Sequence, residues 1–300
     1  MKDDYATGRM AKKVSGIYGR TASHWVGDGF LVQSLLNYND PRRSCDPFLL
    51  LDYAAPYRFD PNSGAPRGVG QHPHKGFETV TIAYQGEVAH RDSSGGGGVI
   101  REGDVQWMTA GSGIVHEEFH SKTFSRQGGM FEMVQLWVNL PAARKGTAAA
   151  YQAIAAEEIP VVELPDAAGS VRVIAGSYGD RMGAAVTFTA INVWDVRLAA
   201  EAAVTLALPA SHNLVVVVLD GEVSFTGEHR ATTGELVTFA RGGSSLTMKT
   251  AGRGAKVLLL SGEPLGEPVV GYGPFVMNSA EEIHQAFKEY EEGTFGVIDE

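Results

Sequence analysis

Cysteine is almost absent from this chain. Cys45 is the single one in 300 residues, so no intrachain disulfide can form and a reducing compartment, the cytoplasm, is expected. Long apolar runs are missing too. Nothing approaches the roughly 18 to 20 residues that a spanning helix requires, and the opening MKDDYATGRMAKKVSG has no signal-peptide core, so neither membrane insertion nor secretion is expected. Positive charge is in short supply. With 25 Lys and Arg against 35 Asp and Glu, the formal net charge is −10, which argues against direct binding to nucleic acid, where cationic side chains must displace phosphate counterions. Any such role would act through a protein partner. The remaining composition, 44% hydrophobic and 20% charged, is that of a globular protein with room for two cores of about 100 to 150 residues each.

What the chain has in quantity is short β-prone runs bounded by glycine. HPHKGFETVTIAYQGEVAHRD, starting at His72, reads as a strand, a turn at Gln85 and Gly86 and a second strand carrying His90, that is, a hairpin. REGDVQWMTAGSGIVHEEFH, from Arg101, adds a Gly-Asp turn, a strand through Trp107, a bend at Gly111 and Gly113, and another strand. The later SHNLVVVVLDGEVSFTGEHRATTGELVTFARGGSSLTM repeats the pattern, so Gly221 aligns with Gly86 and Gly234 with Gly103. The expected fold is all-β, two antiparallel barrels, with domains at 1–145 and 146–300 joined through the Ala-rich, acidic stretch Pro141 to Pro165. Near the C-terminus the period changes. Ser279 with Glu282 forms a capping box, and Ile283, Ala286 and Phe287 mark one face of a short helix ending near Gly293.

The chemistry is concentrated in two pairs, His72 with His74 and His116 with Glu118. Residues two apart on a strand share a face, so two neighbouring strands can converge four donors on one ion. Imidazoles with one carboxylate suit a first-row transition metal better than calcium or magnesium. In the second half the aligned positions are Ala207 and Pro209, and Thr247 and Lys249, so that half is expected to bind no metal there. His90 is balanced between a pocket hydrogen-bonder and a satisfied interior imidazole. Trp107 reads first as core, and the tip from Ser93 to Gly98 lacks the Lys and Ser or Thr of a phosphate loop.

Four blocks in order, DPFLLLDY at Asp46, HPHKGFETV at His72, GDVQWMTAGSGIVHEE at Gly103 and GEPLGEPVVGYGPFVMN at Gly262, give the chain a resemblance to the pirins, and to bacterial pirin-like proteins in particular. Pirins are members of the cupin superfamily with two jelly-roll barrels, a bicupin. The resemblance implies one metal ion in the N-terminal barrel, Fe(II) first and Mn, Ni, Co, Cu or Zn as alternatives, with His72, His74, His116 and Glu118 as ligands. Cupins at large often draw the carboxylate from the first motif, here Glu78. The pirin pattern favours Glu118 and leaves Glu78, with His90 and Trp107, as candidates for the surrounding pocket. The implied activity is that of a quercetin 2,3-dioxygenase, with a flavonol and dioxygen as substrates and Glu118 as the catalytic base. The competing implication is an iron-dependent, redox-sensing regulator that works through a protein partner.

Overall fold

The computed structural model describes residues 10–298, so most of the opening MKDDYATGRMAKKVSG, on which the expectation about a leader peptide rests, lies outside the described residues. No helix among them is long and apolar enough to cross a membrane. Nearly all of the regular structure is antiparallel β, and the chain divides into two compact units.

The first unit comprises Thr21–Tyr38, Pro47–Glu158 and residues 265–298. Its larger sheet has seven strands in the spatial order Ala150–Ile154, Val105–Thr109, Phe77–Gln85, Gly129–Asn139, Phe48–Phe59, Phe30–Asn37 and His24–Val26. A four-stranded sheet follows the order Gly68–His74, Ile114–His120, Val88–Asp92 and Gly97–Ile100. Phe30, Val32, Phe59, Phe124, Phe131 and Met133 form one buried apolar cluster in this unit. Fully burying an aliphatic or aromatic side chain of this size contributes about 1.5–3 kcal/mol.

The second unit comprises residues 10–20, Asn39–Asp46 and Ile159–Pro264. It repeats the pattern: a seven-stranded sheet, and a four-stranded sheet in the order Ala203–Ala207, Ser245–Lys249, Glu222–Phe225 and His229–Thr232. The central run from Leu214 to Leu219 is buried at every residue, which explains why it lacks polar alternation.

Three sequence expectations change. The strands Phe77–Gln85 and Val88–Asp92 are not a hairpin; they lie in different sheets. The turn at Gly86 carries the chain from one sheet to the other, which period-2 patterning cannot distinguish from a simple reversal. The units also follow a different division from a split at residue 145. Strand Val14–Tyr18 forms the edge of the second unit's sheet by pairing with Glu235–Phe239, and Ala150–Ile154, inside the expected linker, pairs with Val105–Thr109. The C-terminal segment belongs to the first unit, where Phe275, Met277, Ile283, Ala286 and Phe295 pack on Val115. Edge strands need partners or cover, and here segments distant in sequence supply them.

The C-terminal helix is Ala280–Glu291, with the Ser279 and Glu282 capping box in place. A second short helix, Lys122–Gln127, capped by Ser121, was not anticipated. Two contacts hold the C-terminal segment to the first unit. The Lys145 ammonium donates to the Gly76 carbonyl and Asn139 Oδ1, both at 2.7 Å, and to the Val276 carbonyl at 3.0 Å. Gly76 itself has φ +90°, and a Cβ there would lie 2.1 Å from the Val276 carbonyl oxygen, so only glycine allows this approach.

Candidate metal centre

Strands Gly68–His74 and Ile114–His120 pair antiparallel, placing His72 opposite His116 and His74 opposite Ile114. The register then slips, with Glu118 facing Val69. That bulge adds a residue around Gly70 and Gln71, and bulges re-aim side chains. The ligating nitrogens of His72, His74 and His116 lie within 4.8 Å of one another, the one group of three or more His, Cys, Asp or Glu donors so placed among the described residues.

Each imidazole is held through Nδ1. His72 Nδ1 lies 2.8 Å from the Gly70 carbonyl, His74 Nδ1 3.3 Å from the Pro274 carbonyl, and His116 Nδ1 3.1 Å from His90 Nε2. A carbonyl only accepts, so His72 and His74 carry the proton on Nδ1 and leave an Nε2 lone pair available. His116 Nε2 is buried and has no protein partner. Burial holds all three imidazoles below the usual histidine range, His74 down to about 3 and His116 well below its ordinary value. Neutral imidazoles with orphaned nitrogens are what a transition metal needs, so the residues fit one.

Glu118 stands apart from that triad but faces the same space. With His72 and His74 it lines a cavity of about 320 Å³ whose other walls include Val26, Phe30, Leu50, Met133 and Trp137, with Asp52 and Gln135 as polar groups. Burial pushes the Glu118 carboxyl up to about 7. The Thr81 hydroxyl, 3.3 Å from Glu118 Oε1 and 2.8 Å from Gln135 Oε1, opposes that rise. Asp52 accepts from Ser34 at 2.5 Å, and burial raises its pKa as well.

The three pocket candidates separate. His90 is buried against His116 and stacks face to face on Tyr151, with centroids 5.1 Å apart and planes at 4°. Glu78 and Trp107 do not line the cavity. Glu78 is opposite Thr109 and Val80 opposite Trp107, so both lie on the sheet face away from Thr81, whose hydroxyl reaches Glu118. His120, which shares parity with His116 and Glu118, ends in an aromatic cluster and bonds the Gly29 carbonyl at 2.9 Å. Tyr151, Thr81, Gly70 and Pro274 were missed, because none carries a ligand spacing and Tyr151 lay in the assumed linker.

The second unit's lack of a matching donor set follows from residues other than those the alignment chose. Thr205 pairs with Thr247 and Ala207 with Ser245, yet Thr205 and Ala207 are exposed while Leu206, Leu208, Leu246 and Met248 are buried in the core. Phe225 pairs with Met248 as His90 pairs with Glu118. The ligand positions therefore correspond to Leu206, Leu208, Leu246 and Met248, one residue away from the earlier alignment. A one-residue slip exchanges the faces of a strand.

Residues 29–138 match the family described as Pirin, and residues 193–296 match the Pirin C-terminal cupin domain. A Pseudomonas aeruginosa protein with the provisional name quercetin 2,3-dioxygenase is 53% identical over 284 residues, covering 95% of this chain and 98% of its own length. Pirin-1 of Arabidopsis thaliana is 35% identical, covering 90% of each. A crystal structure of quercetin 2,3-dioxygenase from Acinetobacter baumannii superposes with a TM-score of 0.92 at 52% identity, covering 96% of this chain and all of that one. A bacterial pirin from Escherichia coli, solved in complex with nickel(II), shares the fold at 21% identity and a TM-score of 0.62, covering 83% of this chain and all of its own.

Proposed function

This chain belongs to the pirin family, and from that premise we propose that it is a non-haem, metal-dependent dioxygenase of the quercetin 2,3-dioxygenase type, opening a flavonol heterocycle with dioxygen. The observation that carries the proposal is the shared wall: Glu118, His72 and His74 border one largely apolar cavity of about 320 Å³. That volume lies at the low end of small-molecule pockets and suits one compact ligand whose rings meet the apolar walls and whose hydroxyls meet Asp52, Gln135 and Glu118. The names of the Pseudomonas and Acinetobacter relatives support the same substrate class.

His72, His74, His116 and Glu118 would hold the ion, Fe(II) by this reading. When bound, it would supply a Lewis acid and a redox-active partner for dioxygen. The protein's own groups do the rest. Glu118 accepts the proton of the flavonol 3-hydroxyl, leaving an electron-rich enolate; the Thr81 hydroxyl orients the accepting carboxylate. Phe30, Val32, Met133 and Trp137 exclude water and hold the ring system flat. The substrate is oxidised by one dioxygen, its heterocycle opens, and one carbon leaves as carbon monoxide. Cys45, buried and pushed up to about 12, remains a thiol, in keeping with work in the cytoplasm.

The test is dioxygen-dependent consumption of quercetin, with carbon monoxide measured, by iron-loaded protein and its Glu118→Gln variant in parallel. Turnover that scales with iron and falls at least about 100-fold in the variant supports the reading, general-base contributions being of that order. No turnover by fully loaded wild type would overturn it and move the family's partner-binding, redox-sensing role to the front.

A further inference from the structure

Two of the three clustered histidines have their tautomer set by a backbone carbonyl, through Gly70 for His72 and Pro274 for His74. The third differs. His116 Nδ1 meets another imidazole, His90 Nε2, at 3.1 Å, and either nitrogen could carry the shared proton. Only one arrangement serves the cluster. If His90 donated, His116 would carry its proton on Nε2, aimed among the other ligating nitrogens, and could not bind an ion.

We propose that His90 is the positioning residue of the metal centre, accepting the Nδ1 proton of His116 so that His116 Nε2 is presented as a lone pair. The proposal rests on the metal-binding reading above and adds a role for a residue that is not itself a ligand. Its geometry comes from two further elements. Strand Val88–Asp92 pairs with Ile114–His120 in a register that sets His90 across from Glu118 and Asp92 across from His116. Across its face the His90 ring lies flat against Tyr151, which the strand Ala150–Ile154 delivers by pairing with Val105–Thr109. The imidazole is thus held on its face by an aromatic plane and at its edge by the ligand it orients. An acceptor at Nε2 places the His90 proton on Nδ1, which leaves the ring neutral. In the second unit Phe225 occupies the corresponding register position and Leu246 the position of His116. Acceptor and ligand are absent together, as a shared role requires.

The test uses the full chain, with nickel(II) as probe, and two variants. His90→Phe keeps a flat ring against Tyr151 but removes the acceptor. His90→Gln restores an acceptor near the position of Nε2. In metal-free wild type, long-range proton–nitrogen correlation spectra should show His116 protonated at Nδ1. Competition titration should show nickel binding weakened 10–100-fold in His90→Phe, the usual effect of losing a ligand's outer hydrogen-bond partner, and largely recovered in His90→Gln. An Nε2-protonated His116 in the wild type, or equal affinity in wild type and His90→Phe, overturns the proposal. Failure of the wild type to take up nickel or iron overturns the metal reading instead, while the His116 tautomer in the metal-free protein still decides the role of His90.

Discussion

Replacing Glu78 by Gln is expected to stabilise the protein, and by more as the pH rises. Glu78 is 1% exposed and accepts a hydrogen bond from the Thr109 hydroxyl at 2.8 Å. Burial dominates and raises its pKa from 4.5 to about 7, against the opposing pull of Thr109 and Trp107. The folded state therefore holds this proton more tightly than the unfolded chain does. The stability linked to it is fully present below about pH 4.5 and is lost as the pH climbs through about 7. At 1.36 kcal/mol per unit, the difference between 4.5 and about 7 corresponds to about 3 kcal/mol. Glutamine has nearly the same shape and no charge to desolvate. Its gain should be about 1 kcal/mol at pH 5 and about 3 kcal/mol at pH 8. Urea unfolding followed by tryptophan fluorescence at both pH values, with unchanged denaturant slope, measures this directly. A gain that is the same at pH 5 and pH 8, or a loss at pH 8, would refute the argument. The same variant should still take up nickel as wild type does, because Glu78 lies on the sheet face away from the cavity. A variant that folds but loses nickel would transfer the ligand role from Glu118 to Glu78.

Other substitutions probe the frame around the site. Lys145→Met leaves the Gly76 and Val276 carbonyls and Asn139 Oδ1 without their shared donor; at about 1–3 kcal/mol for a buried unsatisfied group, a loss of at least about 3 kcal/mol is expected on urea unfolding. Gly76→Ala forces a Cβ to within 2.1 Å of the Val276 oxygen at a φ of +90° and should cost about 2 kcal/mol or more, seen as a lower unfolding midpoint. The corrected register of the second unit makes a paired prediction. Leu246→His puts an imidazole into an apolar core and should destabilise by about 3 kcal/mol, whereas Thr247→His, one residue along on the partly exposed face, should stay within about 0.5 kcal/mol. Equal costs at the two positions would refute that register.

The histidine cluster could be read along the chain because strand geometry translates i, i+2 spacing into a shared face. His72, His74 and His116 needed only the adjacency of two strands to converge, whereas Glu118, beyond a register slip, borders the cavity beside them. The C-terminal helix was legible for a similar reason: the Ser279 and Glu282 cap and the apolar positions Ile283 and Ala286 are local signals. The repeat was legible too, since its turns recur at matching glycines.

Other features depend on pairings between residues far apart in sequence. Which sheet a strand joins is decided by its partner, so the passage from Phe77–Gln85 to Val88–Asp92 could be read as a hairpin when it is a change of sheet. Val14–Tyr18 and the C-terminal segment each complete a unit remote from them along the chain. The faces of Glu78 and Trp107, and the one-residue offset that puts Leu246 rather than Thr247 opposite the ligand positions, rest on register, which a glycine-to-glycine alignment does not resolve. The sequence by itself determined the donor atoms and the β architecture, because side-chain chemistry and strand periodicity are local properties. Only the tertiary structure decided which nitrogens are free to bind and what holds them, because the Gly70 carbonyl sits at a bulge in the strand pairing, while the Pro274 carbonyl, the ring of His90 and the plane of Tyr151 reach the centre by cross-strand pairing and long-range packing.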